Sequence, residues 1–130
     1  MQKQVLMTAA FFGALAVGLG AFGAHGLKPL LNDYQIAIWE KGIQYQFYHT
    51  IVILVLAFYP KISVKSSFLR AVWFFIAGII LFSGSLYFLA IKDIIGLENA
   101  KWIGIVTPIG GIAFILGWLS IFIGATRERI

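Results

Sequence analysis

The sequence predicts an all-α membrane protein: a four-transmembrane-helix bundle with a short interfacial helix between spans 1 and 2. Three observations carry that prediction. Four apolar runs free of Asp, Glu, Lys and Arg fill most of the 130 residues. Each is about 18–25 residues long, the length an α-helix needs to cross a hydrocarbon core of roughly 30 Å. Hydrophobic residues make up 61% of the chain, with mean hydropathy +0.94, and nearly every charge falls in the gaps between runs. One charge at the centre of a span costs about 2.5–3.5 kcal/mol on insertion scales, so uncharged runs of this length mark spans.

The spans, about 5–25, 42–59, 70–91 and 102–126, leave room for one integral membrane domain over residues 1–130 and no soluble domain. The first reads as a retained span. Lys3 is a meagre charged start for a signal peptide, and the run exceeds the roughly 7–15-residue apolar core of one. Its small residues Ala9, Gly13, Ala16, Gly20 and Gly23 recur on one helical face. After Pro29, Asn32 or Asp33 is suited to cap a helix. Tyr34, Ile38 and Trp39 beside Asp33, Glu40 and Lys41 suit a short helix lying at the membrane surface and running into the second span. The second span stops at Tyr59-Pro60. The short polar connection 61–67 makes spans 2 and 3 antiparallel neighbours, and Gly96 predicts a turn before the last span.

In the fourth run, either Thr107 caps a helix beginning at Pro108, or Pro108 disturbs one beginning near Trp102; the longer helix is favoured. Gly110, Ala113, Gly117, Ser120 and Gly124 repeat the small-residue stripe. Small side chains let helix backbones approach closely in lipid, so the stripes predict first and last helices packed tightly, with each other or with a neighbouring copy.

Charge sets the orientation. Lys3, Lys61, Lys65, Arg70, Arg127 and Arg129 lie at the termini and middle loop, opposed there only by Glu128. On the other side Lys28, Lys41, Lys92 and Lys101 are matched by Asp33, Glu40, Asp93 and Glu98. Positive-inside reasoning places both termini in the cytoplasm of a cell (plasma) membrane protein. The basic face suits anionic lipid headgroups, and no basic patch is interleaved with aromatics as nucleic-acid binding requires. With no cysteine, thiolate metal sites, disulfides and Cys nucleophiles are excluded.

The polar residues within the spans gather toward the outer half: Tyr45, Gln46, His49, Ser83, Ser85, Tyr87 and Thr107, with His25 at the outer mouth of span 1. Tyr45 and His49 are spaced i,i+4, Gln46 and His49 i,i+3, and Ser83 and Tyr87 i,i+4, so each set shares a face. Polar groups in hydrocarbon need partners, which predicts a hydrogen-bonded cluster facing the bundle interior. It serves either to fix helix register or as an outward-facing pocket centred on His49 for a small polar or amphipathic ligand. Shared metal or haem ligation by His25 and His49 is disfavoured by their difference in depth and the lack of a carboxylate within any span. Gly18 to Gly23 matches G-x-G-x-x-G formally, but these glycines close a membrane helix and follow no strand. No Ser/His/Asp set or H-E-x-x-H is present.

The blocks Gly20-Ala-Phe-Gly-Ala-His25-Gly-Leu27, Tyr45-Gln46-Phe-Tyr-His49, Leu81-Phe-Ser-Gly-Ser-Leu-Tyr87 and Thr107-Pro-Ile-Gly-Gly111 with Gly117-Trp118 resemble the signature of one family. It is the domain of unknown function 423 family, to which the eukaryotic transmembrane protein 256 is similar. The resemblance implies a multi-pass helical protein, in bacteria a plasma-membrane one, and supplies no reaction, substrate or cofactor. The expectation is therefore a non-enzymatic protein without cofactor or metal, supporting membrane integrity or a partner complex. Its partners would be membrane lipids, a second copy or another membrane protein. A small transporter or ligand-binding protein is the alternative.

Overall fold

The structure is a computed structural model describing residues 1–63 and 65–127. Glu128 and Arg129, counted in the charge argument, lie outside the described residues. Four helical rods follow one another. α1 runs Gln2–Leu27, its last five residues Gly23–Leu27 widened into a π turn, and α2 is Asp33–Ala57. α3 runs Ser67–Ile91 with a π turn at Ile79–Ser83, and α4 is Ile103–Arg127. No strand occurs among the described residues.

Local chemistry explains the boundaries. Asn32 caps α2 through a reciprocal box: its Oδ1 accepts from the Gln35 N–H at 2.8 Å, and Gln35 Oε1 accepts from the Asn32 N–H at 3.0 Å. Ser66 caps α3, its hydroxyl accepting from the Phe68 N–H at 3.1 Å. Gly96 makes the turn before α4 with φ 79, a left-handed conformation that glycine adopts without a steric penalty. α4 begins at Ile103 and continues through Pro108. Pro108 sits in its second turn, so the helix survives the single backbone bond that proline removes.

Among the described residues three rods are long and apolar enough to cross a membrane: α1, α3 and α4. α2 matches them in length, but Gln44, Tyr45, Gln46, Tyr48 and His49 interrupt its apolar character midway. The helix expected at residues 33–41 runs without a break into the second apolar run, so it is not a distinct element. Residues 33–41 are instead the first turns of α2, because Glu40 and Lys41 end the apolar run without ending the helix.

Each rod runs antiparallel to the next. At one end Val5 and Ala9 of α1 share a core with Leu56 and Ala57 of α2 and Phe68, Leu69 and Val72 of α3, and Phe68 also meets Gly124 of α4. At the other end Leu27, Trp39 and Ala90 form a second apolar cluster. α1 and α3 therefore point the same way, with α2 returning between them.

The small-residue stripes do not bring the first and last helices together. α1 packs along α2, with Gly13 beside the Thr50 methyl group and Gly20 beside Ile43; α4 packs along α3. Phe82, Phe75 and Phe68 of α3 seat on Gly110, Gly117 and Gly124 in turn. Ala16, also in the α1 stripe, is fully buried. The glycines of each stripe accept residues of the helix adjacent in sequence, α2 for α1 and α3 for α4, which explains the pairing.

Candidate functional site

Between the two apolar clusters lies a polar layer built mainly from α2. Helical spacing puts Gln46, His49 and Thr50 on its inner face, and all three are buried. Gln46 is held at both ends of its amide. Its Nε2 donates to the Phe12 carbonyl of α1 at 2.9 Å, and its Oε1 accepts from the Tyr87 hydroxyl of α3 at 2.6 Å. One turn away, Ser83 donates to the Gly42 carbonyl at 2.7 Å. Gly42 permits this approach, since a Cβ there would lie 2.7 Å from the Tyr87 ring. Three helices are thus tied through neutral groups whose donors and acceptors match.

His49 forms a second set. Its ring stacks on Phe114 of α4 with centroids 3.7 Å apart and planes 7° off parallel. Nδ1 lies 2.7 Å from the Tyr45 carbonyl, while Trp118 Nε1 donates to Nε2 at 3.2 Å. A carbonyl only accepts and an indole N–H only donates. The arrangement assigns a neutral imidazole, proton on Nδ1 and lone pair on Nε2. Tyr45 joins through its ring, packed on Phe82 at 4.6 Å. Ser85 and Thr107 share a third, separate hydrogen bond at 2.6 Å between α3 and α4.

Of the residues expected in one cluster, Gln46, Ser83 and Tyr87 stand together, Tyr45 and His49 beside them, and Thr107 on Ser85. His25 stands apart, exposed in the π turn of α1. Among the described residues no group of three His, Cys, Asp or Glu could hold a metal ion. Sequence reasoning missed Trp118, Trp39 and Phe114. The signal was present for the tryptophans: an indole N–H in an apolar helix must find an acceptor. That of Trp39 donates to the Leu19 carbonyl at 2.9 Å.

Two grooves border this layer. One, of about 430 Å³, opens sideways between α2, α3 and α4, with His49, Tyr45, Pro108 and Trp118 on its wall. The other, of about 320 Å³, lies where α1 ends and α2 begins.

A layer of neutral polar residues joining otherwise apolar helices is a membrane-protein arrangement, and the comparisons agree. The family described as protein of unknown function DUF423 matches residues 19–111. The chain belongs to this DUF423 family. It is similar to the UPF0382 membrane protein YwdK of Bacillus subtilis (strain 168), 42% identical over 126 residues, which cover 96% of this chain and 98% of the relative. It is 40% identical over 126 residues to the UPF0382 membrane protein SAB0533 of Staphylococcus aureus, covering 96% and 97%. A Staphylococcus epidermidis UPF0382 membrane protein is 41% identical over 126 residues, again covering 96% and 97%. No solved structure matches the chain. The DUF423 match spans the end of α1, all of α2 and α3, and the start of α4, so it includes every hydrogen-bonded polar pair described above except those made by Phe12 and Trp118.

Proposed function

We propose that the chain is a non-enzymatic, four-span protein of the plasma membrane, with both termini cytoplasmic, that supports membrane integrity or a partner complex by packing rather than by chemistry. The four-span reading rests on direction. α1 and α3 are both apolar enough to cross and point the same way, so the chain must return between them, and α2 is the segment long enough to do so. Its inner-face polar residues are buried against α1, α3 and α4, which supports a crossing despite its composition. Orientation follows the basic residues at the end shared by Lys3, Lys61, Lys65, Arg70 and Arg127.

One observation carries the non-catalytic reading. The amide of Gln46, both ring nitrogens of His49 and the hydroxyls of Ser83, Ser85 and Tyr87 are engaged within the protein. A group that works on a substrate must be free to meet it, whereas groups committed to one another hold helices in register. Two experiments test the proposal. Single cysteines at the exposed positions Leu30, Ser63 and Asn99 should label from alternating sides, Ser63 from the cytoplasm and the other two from outside; labelling of Leu30 and Ser63 from one side refutes four spans. Deleting the gene should raise membrane permeability or stress sensitivity without loss of any one metabolite conversion, and turnover of a substrate by the purified protein refutes the non-enzymatic reading.

The groove beside His49 favours the second reading, an amphipathic-ligand binder or small transporter. His49→Ala in proteoliposomes separates the two, because flux or ligand binding through this groove requires the imidazole and a packing role does not.

A further inference from the structure

The groove at the junction of α1 and α2 combines an apolar floor with charged and polar residues. Its volume of about 320 Å³ is at the lower end for small-ligand sites. Gly20, Trp39 and Ile43 line its floor, and Lys28, Glu40 and Gln44 line it with polar groups. The Trp39 N–H is spent on the Leu19 carbonyl, so the indole offers the groove carbon surface. Glycine at 20 leaves the trough open.

The two charges are the informative part. Lys28 and Glu40 are exposed, and among the described residues neither side chain has an ion-pair or hydrogen-bond partner. At the same end of the bundle Lys92 and Asp93 do pair, at 2.9 Å. Opposite charges held apart over an apolar trough complement a molecule carrying both signs and a hydrocarbon body. A purely anionic headgroup would set its charge against Glu40, and a purely cationic one against Lys28.

We infer that this groove binds a phospholipid whose headgroup bears an amine, with the phosphate on Lys28, the ammonium on Glu40 and the upper acyl chain over Trp39 and Ile43. The inference deepens the proposed membrane role and rests on it in one respect: this end of the bundle must lie at the bilayer surface.

The full chain, purified in detergent, is titrated with phosphatidylethanolamine and with phosphatidylglycerol, and bound lipid is counted by native mass spectrometry. Wild type should retain one phosphatidylethanolamine in preference to phosphatidylglycerol. Lys28→Gln should weaken both lipids. Glu40→Gln should weaken phosphatidylethanolamine alone, each loss being about three- to fivefold for partly exposed charges. Soluble phosphoethanolamine should fail to displace the lipid at equal concentration, because it lacks the hydrocarbon. Equal retention of the two lipids, indifference of phosphatidylethanolamine to Glu40→Gln, or displacement by phosphoethanolamine would overturn the assignment. Both side chains are exposed, so the variants test binding, and circular dichroism checks that they fold. Labelling at Leu30, Ser63 and Asn99 separates the failures: an altered pattern overturns the membrane topology, an intact one with no lipid preference overturns the lipid site alone.

Discussion

Gly110→Ala adds one methyl group at the seam between α3 and α4, and its consequence can be worked from distances. The new Cβ would lie 2.7 Å from the Cα of Phe82, with the Phe82 backbone nitrogen nearer still. Carbon pairs sit comfortably at about 3.5–4.0 Å, so the helices must part by roughly 1 Å, since backbone cannot rotate aside as a side chain can. A gap of that size forfeits about a quarter to a half of the attraction of each contact along the seam. The Phe75–Gly117 and Phe68–Gly124 seats would loosen with it, and overpacking of this kind costs about 1–3 kcal/mol. The control is the next residue. A Cβ at Gly111 meets only the Phe82 ring, at 3.9 Å, an ordinary contact. Gly111→Ala should therefore be neutral, or gain up to about 1 kcal/mol from helix propensity. Reversible unfolding in mixed micelles, read by circular dichroism, measures both. Equal stability of the two variants would refute the reasoning, because they differ only in what the methyl group meets.

Two further predictions concern the polar layer. In a double-mutant cycle of Gln46→Leu and Tyr87→Phe, the coupling should be positive and about 0.6–1.7 kcal/mol, the range for interhelical bonds in membranes; zero coupling in the same unfolding assay would remove the bond from the account. Nitrogen-15 spectra of labelled His49 should show a neutral ring protonated on Nδ1, with the Nε2 resonance moving in Trp118→Phe; an Nε2-protonated ring would contradict the assignment.

The fold was legible wherever one residue type decided the outcome. Asn32 and Gln35 carry the α2 cap in their own side chains, and Gly96 the turn, so both could be read locally. What hydropathy alone did not show is that residues 33–41 and the second apolar run form one rod, because Glu40 and Lys41 break the run while helix continuity depends on backbone bonds to which exposed charges are indifferent. Stripe partners were hidden for a different reason. A row of small residues states that something approaches closely, but its identity depends on which aromatic rings face it, here Phe68, Phe75 and Phe82 of α3. Likewise, i,i+3 spacing placed Gln46 and His49 on an inner face without revealing that Tyr87 would reach one and Trp118 the other. His25 was grouped with them on depth alone, and the π turn leaves it exposed.

The distribution of polarity follows from the order of the helices. A polar side chain tolerates hydrocarbon only where protein supplies its partners. α2 is flanked by α1 and α3 along its length and meets α4 through His49, so its inner face finds partners on three rods. The buried amide and imidazole are both on this helix. α1 and α4, with more of their surface outward, present Phe11, Val17, Ile105, Ile112, Ile115 and Phe122 there. The low hydropathy of α2 thus goes with the partners its inner face finds on the neighbouring rods. Gln46 and His49 lie on the face of α2 that its neighbours cover, while Tyr48, Ile51 and Val55 face outward, so the helix uses its polar residues to specify where each neighbour sits.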